Sequence, residues 1–365
     1  MIRTLAPLLA PLLLQLESPR TPRLSILEQR SGIHLDAKGE RSRDPQHLPG
    51  QDVPLFDANS LSGWHMTGEA SYSVDDHCIL AKTSTGKSNA FLASDASFGD
   101  FLLTLELKNE QPGNSGIQIR SRVVGTEPKL SYLTGYQIEI DPSARAWSGG
   151  LYEERGRGWL QNLEQNEPGR KAFHSGEWNR YRIECIGPWI RAFVNDVPTT
   201  DALDPEALEG LLGLQVHSGQ DTQIRFRDFH LHVFGKHAWS TLDSKDFATH
   251  GAKLGNDFGL RLTRSLTSPS LAGSHLHFRG EGDSPNTNHC CSFALDDPRL
   301  ATPKDKSTWK QLTLLAYSDR VALFRDHELL FESHDFRAAD GPWVWIERAD
   351  EVQLFEKVES LEQVK

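Results

Sequence analysis

Apolar and polar residues alternate with a period of two through several short runs of this chain, most clearly in NSGIQIRS (114–121) and TGYQIEIDPS (134–143). In the first, Ile117 and Ile119 fall on one side and Gln118 and Arg120 on the other; in the second, Tyr136, Ile138 and Ile140 oppose Gln137, Glu139 and Asp141. Alternation of this kind predicts strands with one buried face. LLGLQVHSG (211–219) repeats it, with Leu214 and Val216 set against Gln215 and His217. Comparable runs at 71–80, 89–92, 100–108, 178–185, 189–194 and 223–233 are separated by Gly, Pro, Asn and Asp. The pattern therefore predicts an all-β fold, a sandwich or jelly roll.

The polar side of these strands carries amides, one guanidinium and two carboxylates instead of the Lys, Thr and Ser of an ordinary wet sheet face. Such groups grip hydroxyl-rich ligands or move protons. Glu139 and Asp141 share one face of one strand with Cα atoms roughly 6.5–7 Å apart, so their repulsion should raise the pKa of one of them. Gln118, Gln137 and Gln215 suit binding, because amides neither ionise nor attack. The competing structural interpretations are an Arg120 ion pair with Glu139 or Asp141 across neighbouring strands, and a hydrogen-bonded His217 at a sheet edge.

The second half repeats the first in order. WNRYRIECIGPWIRAFVND (178–196) aligns without a gap on WKQLTLLAYSDRVALFRDH (309–327), DFLLTLELK (100–108) matches DFGLRLTRS (257–265), and GIQIR (116–120) matches HLHFR (275–279). Two tandem sandwiches are expected, spanning 53–235 and 240–365, after a possible signal segment at 1–16 and a linker at 17–52. The second copy lacks the polar strand: NHCCSFALDD stands where GYQIEID would be, so any chemistry belongs to the first. Between the polar strand and Trp178 runs a long Gly-rich insertion, in which Tyr152, Glu153, Glu154, Arg155, Arg157 and Trp159 cluster. Loops of such length are usually functional. This one is expected to act as a lid, with Tyr152 and Trp159 stacking on sugar rings and Glu153, Arg155 and Arg157 holding hydroxyls; a solvated hairpin is the plainer alternative.

With 365 residues, nine Trp and seventeen Phe, the chain has enough material for two cores. Its net charge of −11, with no Lys/Arg cluster, argues against nucleic acid and anionic membranes as partners and for an uncharged small molecule or oligosaccharide. The Leu-rich stretch from Leu5 to Leu16 follows an Arg and is too short to span a bilayer. It resembles a secretory signal without a clean cleavage site, which points to an extracytoplasmic location. The four cysteines fit neither a disulfide scaffold nor a zinc motif. Glu139, Asp141 and His217 are metal-ligand types, but no spacing is specific to a metal, and no cofactor motif is present.

LFDANSLSGW, FGDFLLTLELK, NSGIQIR, TGYQIEID, SGGLYEERGRGWL, GEWNRYRIECIG, AFVNDVP and GLQVHSG occur in this order over about residues 53–235. Together they resemble the 3-keto-disaccharide hydrolase family. The resemblance implies a concanavalin-A-like jelly-roll sandwich over that span and a sugar already oxidised at C3; with the internal repeat, two such sandwiches are expected, the second smaller and degenerate. It also implies cleavage by elimination and hydration, in the manner of 3-keto-glucoside lyase/hydratases. The ketone acidifies the C2 proton, so a base, an enolate-stabilising donor and an acid are needed. On that basis Glu139 or His217 is expected as base, Arg120 as enolate stabiliser and Asp141 as orienting or acid group. EID in a β-sandwich also resembles the retaining β-glucanases, but the second Glu of that strand motif is missing, because Pro142, Ser143 and Ala144 follow Asp141. A non-catalytic carbohydrate-binding module is the remaining alternative.

Overall fold

The computed structural model describes residues 49–83, 88–111, 113–219 and 221–242, and in the C-terminal part chiefly the strands between 252 and 364. The apolar stretch at 1–16 and nearly all of 17–52 lie outside the described residues. Two compact units divide at Ala238/Trp239. Among the described residues no helix is long and apolar enough to cross a membrane.

The N-terminal unit contains β1 (Gln51–Val53), β2 (Trp64–Thr67), β3 (Ala70–Asp75), β4 (Cys78–Thr83), β5 (Ala90–Phe98), β6 (Asp100–Gln111), β7 (Ser115–Val124) and β8 (Tyr132–Ile140). It continues with β9 (Leu151–Glu154), β10 (Gly158–Gln161), the one-turn helix α1 (Glu167–Arg170), β11 (Asn179–Ile186), β12 (Trp189–Val194), β13 (Val197–Leu203), β14 (Gly210–Val216) and β15 (Gln223–Leu242). Two antiparallel sheets result. One runs β13-β12-β11-β6-β15, with β4 and β1 on the far edge of β15 and β3 beyond β4; the other runs β10-β9-β8-β7-β14-β5-β2.

The inward face of each strand supplies every second residue. Phe101, Leu103, Leu105 and Leu107 of β6, with Tyr181, Ile183 and Cys185 of β11, join Ile117 and Ile119 of β7, Tyr136, Ile138 and Ile140 of β8, and Leu212, Leu214 and Val216 of β14 in one buried cluster. Each such side chain contributes about 1.5–3 kcal/mol by leaving water, and a one-residue slip in any strand would reverse its two faces. The opposite face of the β7/β8/β14 sheet is thereby left to Gln118, Gln137, Glu139 and Gln215. Cys78 and Cys185 are buried and unbridged.

The segment expected to form a lid over the site instead extends the sheet. β9 pairs with β8, setting Tyr152 opposite Gln137, and β10 pairs with β9, setting Trp159 opposite Tyr152. The turn between them is tight because Arg155 and Gly158 take the left-handed conformation.

In the C-terminal unit, Phe258–Thr263 pairs with Gln311–Tyr317, which forms a hairpin with Arg320–Arg325. This is the pairing of β6 with β11 and of β11 with β12. The turns agree in detail as well. Asn195 and Asp196 in one, and Asp326 and His327 in the other, have positive φ. Asn195 Oδ1 accepts from the Arg180 amide at 2.8 Å, as Asp326 Oδ1 does from the Gln311 amide at 2.7 Å. A separate four-stranded antiparallel sheet holds Ala252–Lys253, Trp343–Glu347, His275–Gly280 and His289–Ala294.

Candidate functional site

Along the polar face of β7 and β8, Gln118 stands opposite Gln137, and Gly116 opposite Glu139. A directed chain of hydrogen bonds runs through them. Ser121 Oγ donates to Gln118 Oε1 (2.6 Å), Gln118 Nε2 to Gln137 Oε1 (2.6 Å), and Gln137 Nε2 to Glu139 Oε2 (3.1 Å), while Asn114 Nδ2 donates to Glu139 Oε1. Glu139 is 4% exposed. Burial raises its pKa to about 7, against the pull of the Asn114 and Gln137 hydrogen bonds and the charge of Arg145. The carboxyl is thus poised to exchange a proton near neutrality.

Gly116 makes room for this chain. A Cβ there would lie 2.3 Å from Gln137 Cδ. Gly116→Ala is therefore expected to push the Gln137 amide off Glu139 and to destabilise the fold by about 1–3 kcal/mol. Denaturant unfolding measures this directly, and an unchanged midpoint would contradict the described packing.

An open cleft of about 730 Å³ is lined by Asn114, Asp141, Ser143, Arg145, His217 and Asp221, among others. Glu139 is linked to it through Asn114, which lines the cleft and donates to its carboxyl. Asp141 accepts hydrogen bonds from the Ser143 amide (3.2 Å) and from Arg145 Nε (2.7 Å). Burial would raise its pKa, but the Ser143 and Arg145 hydrogen bonds outweigh that and hold the carboxyl below its ordinary value. His217 Nδ1 bonds the Ser218 carbonyl at 2.7 Å. The Arg145 guanidinium joins the cleft to an aromatic group, lying 4.9 Å from the Trp147 ring centre and 5.1 Å from that of Trp159. Trp159 in turn packs edge-on against Trp147 (4.9 Å) and Tyr152 (5.2 Å).

Three sequence-predicted residues stand elsewhere. Arg120 occupies a bulge where the β7/β8 register shifts, with φ of +47°, so its side chain leaves the face of Gln118. It is buried, donates to the carbonyls of Gly99 (2.9 Å) and Gly187 (2.5 Å), and pairs with Asp100 at 3.2 Å. Glu153 alternates to the other side of β9 from Tyr152 and takes a salt bridge from Arg157 at 2.7 Å. Arg157 also pairs with Asp204 at 2.9 Å, and Asp204 accepts from the buried Tyr136 hydroxyl. Arg120, Glu153 and Arg157 are therefore tied into structural ion pairs, away from the enolate-stabilising and hydroxyl-holding roles read from the sequence. Arg155 lies over the Tyr132 ring at 4.0 Å.

The sequence reading missed Asn114, Arg145, Trp147 and Asn89 as members of this group, and it placed Glu154 in the insertion without giving it a role. Two signals were available. The alternation Tyr152, Glu154 is that of a strand once LYEE is taken as one, and Asn114 and Arg145 flank the two polar strands by a few residues. Among the described residues, no group of three or more His, Cys, Asp or Glu is arranged to hold a metal ion.

A family model described as the 3-keto-alpha-glucoside-1,2-lyase-like domain matches residues 51–232. None of the curated proteins matches the chain. Similar solved structures include a protein of unknown function with a galectin-like fold from Bacillus subtilis, 15% identical, covering 51% of this chain and 97% of that one, with a TM-score of 0.40. The carbohydrate-binding module CBM66 from Bacillus subtilis is 17% identical, covering 47% and 95%, with a TM-score of 0.35. A prokaryotic β-1,3-1,4-glucanase (lichenase) derived from a mouse hindgut metagenome is 13% identical, covering 51% and 98%, with a TM-score of 0.32.

Proposed function

Residues 51–232 belong to the 3-keto-alpha-glucoside-1,2-lyase-like domain family, and from that premise we propose that this unit cleaves 3-keto-glucosides or 3-keto-disaccharides by elimination and hydration, with Glu139 as the base at C2. The observation that carries this is the buried Glu139 carboxyl, held by Gln137 and by the cleft-lining Asn114 and titrating near neutrality. Arg145 takes the part the sequence reading assigned to Arg120. Its guanidinium borders the cleft and is oriented by the ionised Asp141, so it can face the enolate oxygen that forms at C3. Asp141 orients and does not donate a proton. Trp147, Tyr152 and Trp159 offer faces and edges to a pyranose ring and Arg155 and His217 polar groups to its hydroxyls, while Gln118, Gln137 and Gln215, expected from the sequence to bind sugar, are buried and bonded to one another, Glu139 or Glu154. An extracytoplasmic setting, supported by the Leu-rich segment at 5–16, belongs to the same proposal.

Incubation with 3-keto-trehalose or a 3-keto-glucoside, with release of the free sugar as readout, tests the activity. Binding without turnover would leave a carbohydrate-binding module, and turnover of unoxidised β-glucan would favour direct glycoside hydrolysis.

The acid–base behaviour of Glu139 has two consequences. As a base it must be ionised, so kcat/KM is expected to rise with pH through about 7. Stability moves the other way. The folded protein holds the Glu139 proton up to about pH 7, the unfolded chain only up to about 4.5, so stability falls as pH rises across that window. The loss is on the order of 3 kcal/mol. Urea unfolding at pH 4.5 and 7.5, compared with Glu139→Gln, measures it as the part of the pH dependence that the variant lacks.

A further inference from the structure

Elimination from a 3-keto-glycoside leaves a glycosidic oxygen that needs a proton, and with Asp141 held ionised by Arg145, the groups assigned so far supply none. Two residues beyond Tyr152 on β9, Glu154 lies on the same strand face and is 7% exposed. Its partners differ in kind from those of its neighbour. Glu153 is gripped through both carboxylate oxygens by the Arg157 guanidinium. Glu154 is held by neutral amides, Asn89 Nδ2 at 3.2 Å and Gln215 Nε2 at 3.4 Å, while the Arg155 guanidinium, 44% exposed, stands off at 4.0 Å. Amides accept as well as donate, so they serve a protonated carboxyl as readily as an ionised one. Gln215 is fully buried, and its Oε1 has no partner among the described residues.

The geometry points to Glu154 as a second catalytic carboxyl on the polar face that carries Glu139, donating the proton to the departing glycosidic oxygen. This rests on the proposed activity and extends it. Burial raises the Glu154 pKa, against the Asn89 hydrogen bond and the charges of Arg155 and His217. Tyr152, on the same strand face as Glu154, has its own pKa raised first by burial and then by the charges of Glu154 and Glu139.

The steps balance with water as the sole co-reactant. Glu139 takes the C2 proton and the freed pair makes the enolate. The enolate collapses to a C1–C2 double bond and the C1–O bond breaks, its pair leaving on the oxygen, which takes the Glu154 proton. Water then adds at C1 and returns a proton to Glu154, while Glu139 reprotonates C2. No group is oxidised or reduced in the net reaction.

The test compares two substrates of the full chain. Glu154→Gln is expected to slow a 3-keto-disaccharide by about 10²–10⁴-fold, the usual worth of a general acid. It should slow a 4-nitrophenyl 3-keto-glucoside, whose phenolate departs unaided, by less than about 10-fold. Turnover of the second substrate also shows that the variant folds, and Glu154→Asp should restore part of the loss on the first. Equal losses on both substrates would reduce Glu154 to an anchor for Asn89 and overturn the assignment while leaving Glu139 as base. Wild-type protein that cleaves neither substrate would overturn the activity itself, and the acid role with it.

Discussion

Replacing Glu139 by Gln is expected to lower kcat on a 3-keto-glucoside by about 10²–10⁴-fold, with KM changed little. The variant removes the only group proposed to take the C2 proton, yet the site can absorb the amide without strain. In the native chain every NH₂ points toward the carboxylate, from Ser121 through Gln118 and Gln137. An amide at this position presents a donor to Gln137, and the Gln118 and Gln137 amides can invert together because Ser121 accepts as well as it donates. The oxygen of the new amide would still accept from Asn114. Folding should therefore survive, and above pH 7 the variant should be the more stable protein, since it no longer buries a charge. Single-turnover kinetics with circular dichroism as the folding control would measure this. A folded variant retaining kcat within about 3-fold would remove Glu139 from the chemistry, since that is far below the usual contribution of a general base.

The second large effect falls on stability. Arg120→Leu is expected to cost about 3–5 kcal/mol, because it strands Asp100, a fully buried carboxylate, without its guanidinium. Asp100 would keep the Gly187 amide at 2.8 Å and His237 at 2.5 Å, but the carbonyls of Gly99 and Gly187 would lose their donor. Urea denaturation gives the difference. A variant that loses turnover at an unchanged unfolding midpoint would return Arg120 to the reacting groups, contrary to where its side chain lies.

The two substitutions also separate what the alternation of residues could reveal from what it could not. Period-two patterning places Gln118, Gln137, Glu139 and Gln215 on one face correctly, because burying Ile117, Ile138 and Leu214 leaves those strands a single register. It fails at Arg120, one residue past Ile119, because a bulge adds a residue to the strand there. Bulges are usually announced by Gly, and here an Arg adopts the left-handed backbone, held by carbonyls from distant turns. Those turns are contributed by residues 99, 187 and 207, too far away in sequence for a local pattern to register. The insertion after β8 misleads for a related reason. Its glycines read as a flexible cover, whereas they serve a tight β9–β10 turn that adds two strands to the edge of the sheet. Once LYEE is a strand, Glu153 and Glu154 part company, one toward Arg157 and the other toward Asn89 and Gln215. Composition cannot make that distinction between adjacent identical residues.

Trp147 and Trp159 meet beside Arg145 at the margin of the cleft, half-buried and edge to face. Indole emission responds to its hydration and to a nearby cation, so a ligand settling on these rings would shift and rescale the intrinsic fluorescence of the protein. Occupancy could then be titrated optically, with unreactive sugars and in variants that turn nothing over.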